Sequence, residues 1–150
     1  MEETIFELTD GQKEGMMRPH IQEELNIFLW CYKKLYDHLG GVWEIKNRDE
    51  IRVVHDCFLL HSRNLIDFLW NDPYQDDILA FHYGVSLPKI NDKKFSNIKT
   101  RINKQLSHIT LSRLNNQELM TETEYIHKTI SNAIKDYNDK INNDRYRLKT

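Results

Sequence analysis

Cysteine, proline, glycine and long apolar runs are all scarce in this chain, and each scarcity excludes something. Two cysteines, Cys31 and Cys57, are too few for a disulfide framework, and their spacing fits neither a zinc ligand set nor a redox pair. Both sit in apolar helical stretches, so they read as reduced core thiols of a cytoplasmic protein. Three prolines and five glycines leave most of the 150 residues free to form long regular elements. No apolar run approaches the roughly 20 residues that a membrane span needs. Residues 1–10 are acidic where a secretory leader is basic and then apolar, so no signal peptide and no membrane partner are expected. Glycine-rich phosphate loops, nucleophile elbows and zinc signatures are absent too, and no cofactor or metal is expected.

What is present is charge, unevenly distributed. The net charge is only −2, yet residues 1–88 carry 8 basic against 16 acidic side chains. Residues 89–113 reverse this, with Lys89, Lys93, Lys94, Lys99, Arg101, Lys104 and Arg113 against Asp92 alone. A helix in that stretch carries a local positive field, which either attracts phosphate-bearing partners or is neutralised by acidic neighbours in the fold.

The apolar pattern predicts an all-α domain, an antiparallel four-helix bundle with a short extra helical turn in a long connection. Residues 1–17 show no sustained period and contain Gly11 and Gly15, so they read as a loosely ordered arm. Residues 18–143 form the bundle and 144–150 a fraying C-terminal tail. Helix one begins with Pro19 in its first turn, buries Leu25, Phe28, Tyr32, Leu35 and Leu39, and stops at Gly40-Gly41. Helix two starts at a capping box, Asn47 with Glu50, and carries a stripe of Ile51, Val54, Phe58, His61, Leu65 and Phe68. Val53, Cys57, Leu60, Ile66 and Leu69 make its other faces apolar, so it is expected to be the most buried. Asn71-Asp72-Pro73 ends it, and a helical turn near Asp76 to His82 precedes Gly84 and Pro88. Helix three runs from about Asp92 to Leu114 with Phe95, Ile98, Ile102, Leu106 and Ile109 inward. Helix four follows a capping box of Thr121 and Glu124 and buries Ile126, Ile130, Ala133, Tyr137 and Ile141. Trp30, Trp43 and Trp70 read as core or bundle-end packing.

One anomaly stands out: His61-Ser62-Arg63-Asn64 is a complete polar turn inside an apolar helix. A full turn points in every direction, so at least one member faces the interior, and His61 occupies the core stripe between Phe58 and Leu65. A buried histidine needs a partner; it serves either as a structural hydrogen-bonding group or as part of a site. The expected partner surface is helix three. That helix carries Arg101 and His108, seven residues apart on nearly one face and about 10 Å apart along the axis. An arginine to stabilise phosphorane charge and a histidine to move protons are the groups that metal-independent RNA cleavage by a ribose 2′-hydroxyl requires. The alternative is a solvated basic stripe. Glu124 and His127 have the Glu-x-x-His spacing of di-metal bundles without the second copy such sites need. Asp76-Asp77 read as the acidic first turn of a helix.

Arg101, six intervening residues and His108 resemble the arginine–histidine motif of HEPN domains, small helical bundles that include RNA-cleaving toxins and phage-defence effectors. Arg48 and His55 repeat the spacing on helix two. A second resemblance covers about half the chain. It is to a family of small bacterial helical proteins without assigned activity, carried by His61-Ser62-Arg63-Asn64-Leu65, Asp76-Asp77, Ile102-Asn103-Lys104, Leu106, His108-Ile109-Thr110 and Arg113. The first resemblance implies catalytic Arg101 and His108, an RNA partner and a homodimer whose motifs face one another. The second ties helix two to helix three, with His61, Arg63, Asn64, Lys104 and Arg113 as supporting or substrate-binding groups. The competing expectation is a non-catalytic helical module that binds another protein.

Overall fold

The structure is a computed structural model that describes residues 7–39, 48–72, 77–107 and 122–150. Those residues form α1 (Asp10–Met16), a π turn (Met17–Ile21), α2 (Gln22–Leu39), α3 (Arg48–Trp70), a 3₁₀ turn (Ala80–Tyr83), α4 (Lys93–Ser107), α5 (Thr123–Lys140) and a final 3₁₀ turn (Asp144–Tyr146). No strand occurs among the described residues. The all-helical expectation is therefore met, with α2 to α5 as the main helices.

The N-terminal region departs from the sequence reading. Residues 10–16, assigned to a loose arm, are helical because Thr9 caps them. Its hydroxyl accepts from the Gln12 N–H (3.3 Å), and the Gln12 side chain accepts from the Thr9 N–H (3.0 Å), a reciprocal capping box. Gly11 and Gly15 obscure that signal by lowering local helix propensity. Pro19 does not open a helix. It lies inside the π turn that joins α1 to α2, where the widened register accommodates a residue without an N–H.

The core repeats the predicted stripes with local shifts. Ile21, Leu25, Phe28, Cys31 and Leu35 of α2 are buried, as are Phe58, Leu65, Ile66, Phe68 and Leu69 of α3. From α4 come Phe95, Ile98 and Ile102, and from α5 Ile126, Ile130, Ala133, Ile134 and Tyr137. Helix α3 is the hub, packing against α2, α4, α5 and the first 3₁₀ turn. It is nevertheless not apolar in use all round, since Val53 and Leu60 stand in solvent. Trp30 is also exposed, against expectation, with the Lys34 ammonium over its ring. Trp70 packs edge-on against Phe95 at 5.3 Å; Trp43 lies outside the described residues.

Asp92 starts α4 as expected. Its carboxylate accepts from the Lys94 N–H (2.9 Å) and the Tyr125 hydroxyl (2.6 Å), and these hydrogen bonds, Tyr125 first, hold it below the usual carboxylate range. The continuation of that helix to Leu114, including Ile109, lies outside the described residues. So does Thr121. Glu122 precedes α5 and makes no side-chain cap bond. Gly84, at φ 78°, closes the first 3₁₀ turn in the left-handed region that glycine adopts without a Cβ penalty.

The C-terminal segment does not fray. Tyr146 and Leu148 are only 7% and 3% exposed. Leu148 donates its N–H to Asn138 Oδ1 and accepts from Asn138 Nδ2, both at 2.8 Å. Lys149 makes the same double contact with Gln22, at 2.7 and 2.8 Å. Residues 144–150 are thus strapped across α2 and α5.

Candidate functional site

Helical geometry decides what becomes of the polar turn of α3. Each residue advances by about 100° around the axis, so the side chains at 61, 62 and 63 diverge while that at 64 returns to nearly the face of 61. Ser62 goes inward, fully buried, and its hydroxyl donates to the Phe58 carbonyl at 2.7 Å. A small hydroxyl satisfied by its own helix needs no tertiary partner, which is why serine rather than His61 is the innermost member.

His61 and Asn64 turn toward α2, where they converge on one oxygen. Glu24 Oε2 lies 2.6 Å from His61 Nδ1 and accepts from Asn64 Nδ2 at 3.0 Å. The His61 side chain is 13% exposed and the Glu24 side chain more open. A carboxylate on Nδ1 orients the imidazole and leaves Nε2 as the remaining polar edge. Glu24 is the member that the sequence reading missed. Its signal was present, because it sits within the apolar face of α2 between Ile21 and Phe28.

Arg63 points the other way. Its guanidinium stands 3.8 Å from Asp67, whose carboxylate also meets Lys99 of α4 at 3.3 Å. Lys99 donates further to Asn71 Oδ1 at 2.6 Å. The expected partner of His61 and Asn64 is a group of α4; among the described residues the partner observed is Glu24 of α2, and α4 meets this part of α3 through Lys99 and Asp67. Gln105 of α4 also reaches Asp56 of α3, at 3.4 Å.

Arg101 donates to Glu122 Oε2 at 3.1 Å, with its side chain about one-third exposed. Lys104 is exposed. His108, Arg113 and Asp76 lie outside the described residues, whereas Asp77 is exposed. His55, of the repeated spacing, is buried; the Arg48 side chain is not among those described. The positive field of α4 is thus met at Lys99 and Arg101 by acidic side chains from α3 and from the start of α5.

Two other constellations resolve into packing. His127 stacks on Tyr32 at 3.5 Å with an interplanar angle of 3°, and on Phe28 at 5.6 Å. Burial lowers its pKa, so the ring is neutral and acts as an aromatic plate. Cys31 is buried and Cys57 half-buried, both free. Burial, with Cys57 beside it, pushes the Cys31 thiol up to about 12, which makes it unreactive. Among the described residues no group of three or more His, Cys, Asp or Glu side chains is placed to hold a metal ion. None of the described helices is long and apolar enough to cross a membrane. An open groove of about 330 Å³ lies between Trp70, Leu87, Ile90, Tyr125, Asn132 and Asp136, and none of the sequence-predicted site residues lines it. No protein-family model, curated protein or solved structure matches the chain.

Proposed function

We propose that the chain is a non-catalytic helical module that binds another protein through the outer faces of α2 and α3. The carrying observation is the exposure of large apolar side chains there, with Trp30 of α2 53% and Val53 and Leu60 of α3 68% and 43% accessible. Interface cores are depleted in charge, and tryptophan is among the residues enriched at their binding hot spots. Meanwhile two cations of α4 are engaged within the fold, Arg101 with Glu122 and Lys99 with Asp67 and Asn71. Affinity purification from host lysate with wild type and the Trp30→Ser/Leu60→Ser variant tests this reading. It predicts a protein retained by wild type and lost with the variant, both folded by circular dichroism; identical retention profiles refute it.

A second reading has one observation in its favour: Glu24 orients His61 much as a carboxylate orients a catalytic imidazole. In it the chain is HEPN-like, a metal-independent ribonuclease or RNA-binding homodimer of the toxin or phage-defence type, with Arg101 and His108 catalytic and His61, Arg63, Asn64, Lys104 and Arg113 supporting. RNA cleavage in EDTA, lost in His108→Ala and Arg101→Ala, is its test; no cleavage and no salt-sensitive RNA binding leaves the interaction module. Both readings set the chain in the cytoplasm, where Cys31 and Cys57 stay reduced.

The scaffold in both is an antiparallel four-helix bundle. Support comes from contact order: Glu24 meets His61 while Phe28 meets Phe58, Lys99 meets Asp67 while Gln105 meets Asp56, and Asp92 meets Tyr125 while Arg101 meets Glu122. In each pair, rising numbers on one helix match falling numbers on the next.

A further inference from the structure

We propose that the cleft between the first turn of α2 and the C-terminal half of α5 is a recognition site for a short peptide segment, filled in cis by residues 145–149 and able to take the same segment from a second copy of this chain. The seated segment defines the ligand chemistry. Asn138 reads the N–H and the carbonyl of Leu148, and Gln22 reads both groups of Lys149. A side-chain amide that donates and accepts at one residue does what a neighbouring strand does in a sheet, which gives affinity for main chain regardless of sequence. Specificity comes from the side chains that the segment buries: Tyr146, at the end of the 3₁₀ turn, and Leu148 are buried, while Arg145, Arg147 and Lys149 are exposed. The ligand is therefore a tyrosine-x-leucine segment that leaves a 3₁₀ turn at its tyrosine, with outward cations.

The walls are also tied to the rest of the fold. Tyr83 and Tyr137 both pack on Phe68, at 6.1 and 5.6 Å, and the Tyr83 hydroxyl donates to the Lys13 carbonyl. Gln22 also donates to Asn26. Burial pushes both tyrosine hydroxyls up, so they remain donors, and that of Tyr137 is aimed at the Tyr146 carbonyl, 3.2 Å away. Helix α5 is closed independently by the Ile141 N–H on the Tyr137 carbonyl, and Ile141 and Asn143 are already extended. Release therefore requires the three-residue turn Asp144–Tyr146 to unwind, the amide pairs of Leu148 and Lys149 to open and Tyr146 and Leu148 to leave the core, while α5 stays closed. The outward cations resist little, since the Arg145–Glu14 and Arg147–Asp144 pairs are exposed. A bound segment that leaves without unfolding its own site is the structural condition for exchange between identical chains.

The test uses the full chain and a fluorescent peptide of residues 142–150. In the Tyr146→Ala/Leu148→Ala protein the tethered segment cannot seat, and the peptide should bind saturably. Wild type should bind it at least roughly tenfold more weakly, because the tethered segment competes at an effective concentration near millimolar. Adding Asn138→Ala to the protein, or both alanines to the peptide, should abolish binding. A folded double variant that fails to bind overturns the proposal, as does equal binding of the alanine peptide. Hydrogen exchange on wild type decides independently of any variant. The Leu148 and Lys149 amides should exchange by segment release, at least roughly tenfold faster than amides in the centre of α3; exchange as slow as that of α3 overturns the proposal.

Discussion

The polar turn of α3 and the C-terminal segment show opposite relations between sequence and structure. The turn looks like a site because four polar residues interrupt an apolar helix, yet they find three separate answers: the helix backbone for Ser62, Glu24 for His61 and Asn64, Asp67 for Arg63. The segment looks expendable because it is short, charged and aperiodic at helical spacing. It nevertheless places two side chains in the core and satisfies its main chain through two amides. Polarity inside a helix is thus no measure of function, and polarity near a chain end is no measure of disorder. What matters is whether a partner lies opposite, either within the same helix, as for Ser62, or 127 residues away, as for Lys149 and Gln22.

The sharpest break of this contrast is at Ser62. Ser62→Leu forces a larger side chain into a filled position and should cost about 3 kcal/mol in urea unfolding. A loss below about 0.5 kcal/mol means that the turn is not packed as described. Next is Leu148→Ala, expected to remove about 2 kcal/mol by emptying a buried site; an unchanged midpoint returns the segment to the status of a frayed end. Asn138→Ala should cost about 1–2 kcal/mol, since two hydrogen bonds to one residue are lost and their backbone partners stay half-buried. Glu24→Gln and His61→Ala should each cost about 1 kcal/mol and couple in a double-mutant cycle, because both act through one short contact. Simple additivity separates the two residues and removes the Glu24-oriented imidazole from any mechanism.

The smallest effect is a pH dependence. Burial holds His127 below its ordinary value of 6.5, so the unfolded chain binds the proton more readily than the folded one. The stability that the neutral ring contributes is present above about pH 6.5 and declines as pH falls through the lower folded value. Melting temperature should therefore drop on acidification from pH 8 to 5, and His127→Phe, which keeps an aromatic plate without a titrating group, should flatten part of that slope. Identical slopes would mean that His127 is not the buried titrating group.

Much of the helical frame was legible from residue spacing. Phe28, Phe58, Ile98, Ile102, Ile130 and Tyr137 all fall on predicted stripes and all are buried, since the period of 3.6 is a local property that fixes which side of a helix must leave water. Thr9 with Gln12 and Glu24 within an apolar face were readable too, but glycines beside the first and the solitary charge of the second hid them. The start of α4 at Asp92 was legible for the same local reason. The candidate site was legible only as an anomaly at residues 61–64.

By itself, then, the sequence determined helix content, the buried face of each main helix and the unequal charge along the chain, because these depend on neighbours within a few residues. Tertiary structure alone decided that His61 and Asn64 share Glu24, that Arg101 closes on Glu122, that Pro19 sits in a π turn and that residues 144–150 lie between Gln22 and Asn138. Most of these outcomes are set by which groups meet across long separations, where a polar atom must find whatever partner the packed helices bring to it.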